Sequence, residues 1–248
     1  MSRKKTKTIG ILGGMGPEAT ARFFELIIKN TAVKRDQDHL KIIVYNYPQI
    51  PDRTQAILYG GEDPVPYLLE GLKILEKMGA ELCAIPCLTA HYFFPRLDKK
   101  TKLELIHLIE ETANYLKRAY PRLKTIGLLA TRGTFATGIF HRPLSQKGFE
   151  IISPQEKELD LVMEAIYGPD GIKAGFTEGR SKNLLLEVAH RFLRRGAQVI
   201  IAGCTEVPLA LKEKDLNVPL VDPMTLGARA LIKKAGGRLK KPDFLTNR

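Results

Sequence analysis

The chain has 248 residues, of which 44% are hydrophobic and 27% charged, and this balance is typical of a soluble globular protein with a substantial core. Its apolar runs are shorter than the roughly 18 residues that suggest a membrane span, so we expect no membrane partner. The formal net charge is +12, but the basic residues are spread along predicted helices without a zinc-finger or RNA-binding motif, so we expect no nucleic-acid partner.

The first predicted elements are a strand, a glycine turn and a helix. Residues 8–12 form a buried-strand pattern, and Gly13-Gly14-Met15-Gly16-Pro17 separates it from a helical pattern that runs to residue 32. The turn fits the relaxed dinucleotide pattern G-x-G-x-x-A. The second strand, over residues 40–45, ends without the acidic residue that would hold a ribose, so this chain is not expected to bind nicotinamide cofactors.

The later elements continue to alternate between helix and strand. Residues 48–54 predict a loop with Arg53, which is either a surface arginine or a bidentate ligand for a carboxylate. Further helices are predicted over residues 64–78, 102–119, 155–166, 181–195 and 225–234, with another ending near residue 146, and strands over 82–86, 125–130, 149–152 and 199–202. This alternation predicts parallel βαβ units.

Two cysteines follow predicted strands, at Cys87 and Cys204, 117 positions apart. The same offset aligns residues 8–12 with 125–129, 19–20 with 136–137, and 79–80 with 196–197. Such a repeat indicates an internal duplication. We therefore predict two pseudo-symmetric α/β domains with parallel-sheet cores and an active site in the cleft between them. The expected domains are 8–118 plus about 212–236, and 119–211, with tails at 1–7 and 237–248.

The three cysteines are too few for a disulfide framework. Cys83 lies within an apolar run and is expected to belong to the core. The cysteine and histidine spacings do not match a zinc site, so no metal is expected. The amino-terminal segment is basic but is not followed by a secretory apolar region, so we expect a cytoplasmic protein with reduced thiols.

Two thiols at the ends of strands in opposed halves suit inversion of a carbon stereocentre. Such a reaction needs a base on one face of the carbon and an acid on the other, and a thiol can serve as either near its pKa. Thr89 and Thr205 could hydrogen-bond a substrate or the adjacent sulfur. Glu206 is either a ligand for an amino group or a helix-terminal acid, and His91 either tunes the Cys87 loop or caps the next helix.

Four motifs in order along the chain resemble the cofactor-independent aspartate/glutamate racemase family, and the first resembles its aspartate racemase branch. These motifs are Gly13-Gly14-Met15-Gly16-Pro17-Glu18-Ala19-Thr20, Pro86-Cys87 with Thr89-Ala90-His91, Ile172-Lys173-Ala174-Gly175, and Gly203-Cys204-Thr205-Glu206-Val207-Pro208-Leu209. The resemblance covers almost the whole chain. It implies an amino-acid racemase that uses neither pyridoxal phosphate nor a metal, and that forms a homodimer.

The resemblance also implies roles for individual residues. Cys87 and Cys204 would be the two acid/base residues, and Arg53 and Lys173 would bind substrate carboxylates. Five other positions match residues that line the family's pocket, namely Met15, Thr89, Thr131, Thr205 and Glu206.

One position departs from the family pattern, because Leu88 stands where the family usually has an asparagine that hydrogen-bonds the substrate. A leucine cannot make that bond, and an unmatched polar atom costs about 1–3 kcal/mol. Aspartate or glutamate is the expected substrate. A broader or less polar substrate range and a catalytically idle binding protein are the alternatives.

Overall fold

A computed structural model describes residues 6–241, which form two four-stranded parallel sheets. The strands are β1 (Ile9–Gly13), β2 (Ile42–Asn46), β3 (Leu82–Ala84), β4 (Glu104–Leu105), β5 (Thr125–Leu129), β6 (Glu150–Ile152), β7 (Val199–Ala202) and β8 (Leu220–Val221). The first sheet has the order β2-β1-β3-β4 and the second has the order β6-β5-β7-β8. The two orders are equivalent, and they confirm the predicted pair of parallel-sheet cores.

Eleven α-helices connect or cover these strands within the described residues. They are α1 (Pro17–Asn30), α2 (Arg53–Leu58), α3 (Val65–Lys77), α4 (Phe94–Leu97), α5 (Leu108–Ala119), α6 (Arg132–Thr137), α7 (His141–Ser145), α8 (Glu156–Tyr167), α9 (Arg180–Arg194), α10 (Val207–Ala210) and α11 (Pro223–Lys234). Helices α1, α5 and α11 pack together, and α8 packs on α9. None of the described helices is both long and apolar enough to cross a membrane.

The central strands are buried on both faces, as expected for parallel sheets covered by helices. Every residue of β1 and β7 is buried. One apolar cluster contains Ile9 and Ile11 of the first sheet together with Ile126 and Leu128 of the second. The two halves therefore share part of their core, and this fixes the strand ends of one half near those of the other.

The internal repeat is visible in individual hydrogen bonds. Thr20 donates to the carbonyl of Gly16 at 2.9 Å, and its counterpart Thr137 donates to the carbonyl of Gly133 at 2.9 Å. Gly79 and its counterpart Gly196 follow helices and have φ values of 90° and 91°. A left-handed conformation at this place favours glycine because it has no Cβ, which explains why both copies retain it.

Some of the predicted elements are corrected by the structure. The helix predicted over residues 102–119 begins only at Leu108, because Glu104 and Leu105 pair in parallel with Leu82 and Cys83 as strand β4. The apolar spacing suited a helix, but this backbone pairing with a distant strand was not visible in the local pattern.

Two further corrections concern the predicted loop and the helix of the second half. The loop over residues 48–54 ends at Asp52, because the side chain of Asp52 accepts the Gln55 N–H and begins helix α2 at Arg53. The helix predicted to end near residue 146 is divided into α6 and α7 by Gly138, which has a φ of 62°.

The expected return of the chain to the first half at about residue 212 is also corrected, since β8 pairs with β7 of the second sheet. Helix α11 then packs against α1 and α5 of the first half. Of the predicted tails, residues 1–5 and 242–248 lie outside the described residues. The start of the carboxyl-terminal tail is not free, because Leu239 forms an antiparallel bridge with Thr31 and the Lys240 N–H donates to Asn30.

Candidate active site

The two cysteines predicted to act together line one cavity. Cys87 lies three residues beyond the end of β3, and Cys204 lies two residues beyond the end of β7. Ligands of open parallel sheets bind at this end of the strands. Each cysteine is only 7% exposed, so the thiols face an enclosed space in which charges are weakly screened.

All nine site residues chosen from the sequence line this cavity. They are Met15, Arg53, Cys87, Thr89, Thr131, Lys173, Cys204, Thr205 and Glu206. Leu88 and Tyr167 complete the lining. The first half contributes residues up to Thr89 and the second half contributes those from Thr131 onward, so the site lies between the two halves.

Glu206 connects the second cysteine to a cation. Its Oε2 accepts hydrogen bonds from Cys204 Sγ at 2.7 Å and from Thr205 Oγ1 at 3.1 Å, and its Oε1 lies 2.8 Å from Lys173 Nζ. A Cβ at Gly16 would come within 3.3 Å of Oε1, so the glycine turn lies against this carboxylate. Glu206 is 3% exposed, and its negative charge is balanced by Lys173.

This network sets the protonation of the second thiol. Burial raises the pKa of Cys204 well above its ordinary value, and the Glu206 carboxylate raises it further, while Lys173 opposes the rise. Burial lowers the pKa of Lys173, but the Glu206 carboxylate, with contributions from Cys204 and Cys87 when they are ionised, outweighs this effect and raises it overall. At neutral pH Cys204 is therefore a thiol that donates to Glu206, and Lys173 is an ammonium ion.

Arg53 is the cation on the side of the first cysteine. Its Nη1 donates to the carbonyl oxygens of Ile50 at 3.1 Å and Pro51 at 2.8 Å, which hold the guanidinium in place. Its Nε is buried and has no hydrogen-bond partner among the described residues. Burial lowers the pKa of Arg53, but the negative charges of Cys87 and Asp52 outweigh it and give a net rise. A permanent cation thus faces Cys87, and one of its buried donors is unused.

His91 does not line the cavity but fixes the loop that carries Cys87. Its Nδ1 lies 3.0 Å from the carbonyl oxygen of Cys87, and its Nε2 accepts the Leu108 N–H at 3.2 Å. Nδ1 therefore carries the ring proton and donates a hydrogen bond to the backbone carbonyl of Cys87. Burial, helped by His107, lowers the pKa of His91 to about 3. The two roles considered for His91 are both present, since it holds the loop and caps α5.

Three threonine hydroxyls join the halves beside the thiols. Thr89 Oγ1 lies 3.2 Å from Thr131 Oγ1 and 3.0 Å from Thr134 Oγ1, and the last two are 3.2 Å apart. All three residues are buried. Each hydroxyl can donate one hydrogen bond and accept two. In a closed ring of three hydroxyls each donates once and accepts once, so Thr89 Oγ1 can still accept one hydrogen bond from a ligand. The sequence analysis missed Thr134, because its position one turn into α6 carries no distinctive motif.

Tyr167 was also missed as a site residue. It ends α8, lines the cavity, and donates from its hydroxyl to Asp52 Oδ2 at 3.1 Å. Lys173 Nζ lies 5.3 Å from the centre of its ring, within the range of a cation–π contact. Tyr167 thus connects the loop that carries Lys173 to the helix that begins at Arg53, across 115 positions of sequence.

The third cysteine has a structural position. Cys83 is fully buried in the apolar cluster of the first half, and burial raises its pKa to about 12. It does not line the cavity. Its predicted core position is confirmed.

Comparison with known proteins places the chain in a known family. The model of the Asp/Glu/Hydantoin racemase family matches residues 12–231. The chain belongs to this family. The predicted family and the predicted enzyme class, a racemase among the isomerases, are thereby confirmed.

Individual relatives agree with this assignment. The structure of Picrophilus torridus aspartate racemase is similar with a TM-score of 0.85 and 34% identity, over 95% of this chain and 96% of that one. The broad specificity amino-acid racemase RacX of Bacillus subtilis is 25% identical over 90% of this chain and 96% of the relative. Francisella tularensis glutamate racemase, solved with D-glutamate, shares 18% identity with a TM-score of 0.63 over 93% of this chain and 81% of that one, which shows a shared fold.

Proposed function

We propose that this protein is an amino-acid racemase that inverts the α-carbon of aspartate or glutamate with two cysteines and without pyridoxal phosphate or a metal. The observation that carries the proposal is that Cys87 and Cys204, from opposed halves, line one enclosed cavity with Arg53 and Lys173. An acidic amino acid has two carboxylates, and the cavity has one cation beside each thiol. The 34% identity to an aspartate racemase supports the same substrate class.

The two cations would hold the substrate by its carboxylates. Arg53 can offer its unused buried Nε–H in a charge-assisted hydrogen bond. Lys173 is shared with Glu206, so a substrate carboxylate would form a second contact with the same ammonium ion. Thr89 would accept from the substrate ammonium group. These contacts place the α-carbon between the sulfurs, where proximity lowers the barrier to proton transfer.

Proton transfer would proceed in two balanced steps. In one direction the thiolate form of Cys87, opposite the Arg53 guanidinium, takes the α-proton, while the electron pair of the C–H bond remains on the substrate as a carbanion. Cys204, kept protonated by burial and Glu206, then gives its proton to the opposite face. This leaves a thiolate at Cys204 that Lys173 stabilises. The reverse reaction exchanges the two roles, as two-base chemistry requires.

Glu206 would control the proton of Cys204. It lies 2.7 Å from Sγ, close enough to accept the proton when Cys204 must become the base. Lys173 contacts the other carboxylate oxygen, Oε1, at 2.8 Å and holds the side chain in place. This pairing gives each thiol its own electrostatic partner: a guanidinium for Cys87 and a carboxylate for Cys204.

The decisive experiment follows the α-proton of L- and D-aspartate and glutamate by proton NMR in D₂O, without added cofactor and with or without a chelator. Loss of the α-proton signal with appearance of the other enantiomer is expected. Cys87→Ser and Cys204→Ser should each abolish inversion, whereas Cys83→Ala, which removes a thiol outside the cavity, should retain it. Substantial inversion by either serine variant would refute the two-base assignment.

A broader, less polar substrate range is the second candidate, and one feature favours it. Leu88 and Met15 place apolar side chains in the cavity lining, and one relative is a broad specificity amino-acid racemase. The same NMR assay with neutral and basic amino acids distinguishes the candidates. Binding of aspartate without exchange of its α-proton would instead identify an idle binding protein.

The homodimer, the cytoplasmic location and the division into domains at residues 8–118 and 119–211 stay predictions. They rest on the resemblance, on the amino-terminal segment and the cysteine content, and on the repeat, respectively. Light scattering during size-exclusion chromatography measures the first directly. A mass of twice 27.7 kDa is expected, and a monomer at micromolar concentration would contradict it.

A further inference from the structure

A second cavity, of about 280 Å³, shares no lining residue with the candidate active site. It lies where α1, α5, the segment after α10, and the connection from β8 to α11 meet. This place joins the two halves, because β8 belongs to the second sheet while α11 packs on the first half. The proposed racemisation uses none of the residues that line this second cavity.

The walls of this second cavity are mainly apolar. Two tyrosine rings, Tyr115 and Tyr120, stand edge to face with their centres 6.2 Å apart. Six further side chains without polar groups are Pro208, Leu211, Pro219, Leu220, Val221 and Leu226. Such a surface favours an apolar ligand body of aromatic or branched aliphatic type.

The polar part of the lining is dominated by Arg22. Its Nη2 donates to Asp222 Oδ2 at 2.7 Å, but its Nη1 is buried and has no hydrogen-bond partner among the described residues. Asp222 is already engaged, since it also accepts from Thr225 Oγ1 at 2.8 Å and from the Met224 N–H at 3.0 Å. An unsatisfied buried donor is costly. An acceptor atom on a ligand would therefore give Arg22 Nη1 the hydrogen-bond partner that it lacks.

A second cation stands at the mouth of the cavity. Lys212 Nζ donates to the carbonyl oxygens of Pro208 at 2.6 Å and Leu209 at 2.9 Å. Burial lowers the pKa of Lys212, and the positive charge of Arg22 lowers it further. Glu213 is the acidic group at this exposed rim. The interior beside Arg22 is therefore a place where an additional negative charge is stabilised.

We propose that this second cavity binds a small monocarboxylate with an aromatic or branched aliphatic body, its carboxylate held by Arg22 and its body held by the apolar walls. The racemase substrate is a poor fit, because its second carboxylate and its ammonium group would face these walls without partners. The ligand would contact Pro208 within α10 and Leu211 at the end of α10, the helix that follows Cys204 and Glu206. It binds independently of substrate.

Phenylacetate tests the proposal, with phenylacetamide as the neutral isostere. Isothermal titration of the full-length protein should give a dissociation constant about tenfold lower for the acid than for the amide, as expected for one charge-assisted contact. Excess aspartate should leave the affinity for phenylacetate unchanged. Equal affinities for acid and amide, absence of binding, or displacement by aspartate would each overturn the proposal.

Three variants locate the site. Arg22→Gln should remove the preference for the acid, and Thr225→Trp should fill the cavity and abolish binding of both probes. Arg96→Gln is the matched control, because Arg96 forms an exposed ion pair with Asp63 at 2.6 Å outside this cavity, and it should bind like the parent protein. Unchanged binding by a folded Thr225→Trp variant, checked by circular dichroism, would refute the assignment even if Arg22→Gln failed to fold.

Discussion

Glu206→Gln is the substitution that best separates the electrostatic role of the site from its shape. Glutamine keeps the size of the side chain but removes the negative charge that raises the pKa of Cys204. Lys173, 2.8 Å from the lost charge, then acts on the thiol without opposition. We expect the thiolate fraction of Cys204 at neutral pH to rise about tenfold or more.

The same substitution should lower stability and activity. Removing one partner of a buried ion pair costs about 3–5 kcal/mol. The side chain of Lys173 is 25% exposed and so keeps some hydration, which places the expected loss nearer about 2–3 kcal/mol. Since Glu206 is proposed to receive the proton of Cys204, the maximal racemisation rate should fall by about 100-fold.

Three measurements check these expectations. The rate of iodoacetamide alkylation at Cys204, followed by peptide mass spectrometry across pH, reports the thiolate fraction. Urea unfolding reports stability, and NMR in D₂O reports turnover. Glu158→Gln is the matched control, because Glu158 is also buried and pairs with Arg195 at 2.7 Å, but does not line the cavity.

The control separates lost stability from altered chemistry. Glu158→Gln should lose stability comparably without changing the pH dependence of Cys204 alkylation. If Glu206→Gln left that pH dependence unchanged, or moved it to higher pH, the proposed control of the thiol by the carboxylate would be wrong.

Three further predictions concern specificity, pH and the connection between the halves. Leu88→Asn should increase the ratio of kcat/KM for aspartate to that for leucine, and because Leu88 is 1% exposed it should cost about 2–3 kcal/mol in urea unfolding. Cys83 has a pKa of about 12, so above about pH 9 the unfolded chain loses a proton that the folded chain keeps, and stability should fall by up to about 1.4 kcal/mol per pH unit, less steeply in Cys83→Ala. Tyr167→Phe removes the hydrogen bond to Asp52 and should cost about 1 kcal/mol, with about fivefold faster hydrogen exchange near residue 167.

Each of these has a clear contrary result. An unchanged substrate ratio in Leu88→Asn would mean that this side chain does not contact substrate. Equal alkaline slopes for the parent protein and Cys83→Ala, measured by urea unfolding at several pH values, would contradict the raised pKa. Unchanged exchange in Tyr167→Phe would show that its hydroxyl does not hold the loop.

The sequence was a good guide where a feature is local or repeated. The offset between Cys87 and Cys204 predicted the duplicated sheets, because a repeat preserves strand ends and the glycines that follow helices. It predicted less well where pairing is distant. Strand β4 was missed because Glu104 and Leu105 form a strand only by pairing with β3. Strand β8 was assigned to the wrong half because its own residues do not indicate that it pairs with β7.

What the sequence determined by itself was the pair of strand-end thiols, the alternation that makes the sheets parallel, and nine residues that line one cavity together with Leu88 and Tyr167. Tertiary structure alone decided their chemical state. Cys204 is held as a thiol because folding buries it beside the Glu206 carboxylate, whose other oxygen meets Lys173. The Tyr167 hydroxyl meets Asp52 only after the two halves pack. Charge, burial and hydrogen bonding depend on neighbours distant in sequence, so no local pattern could specify them.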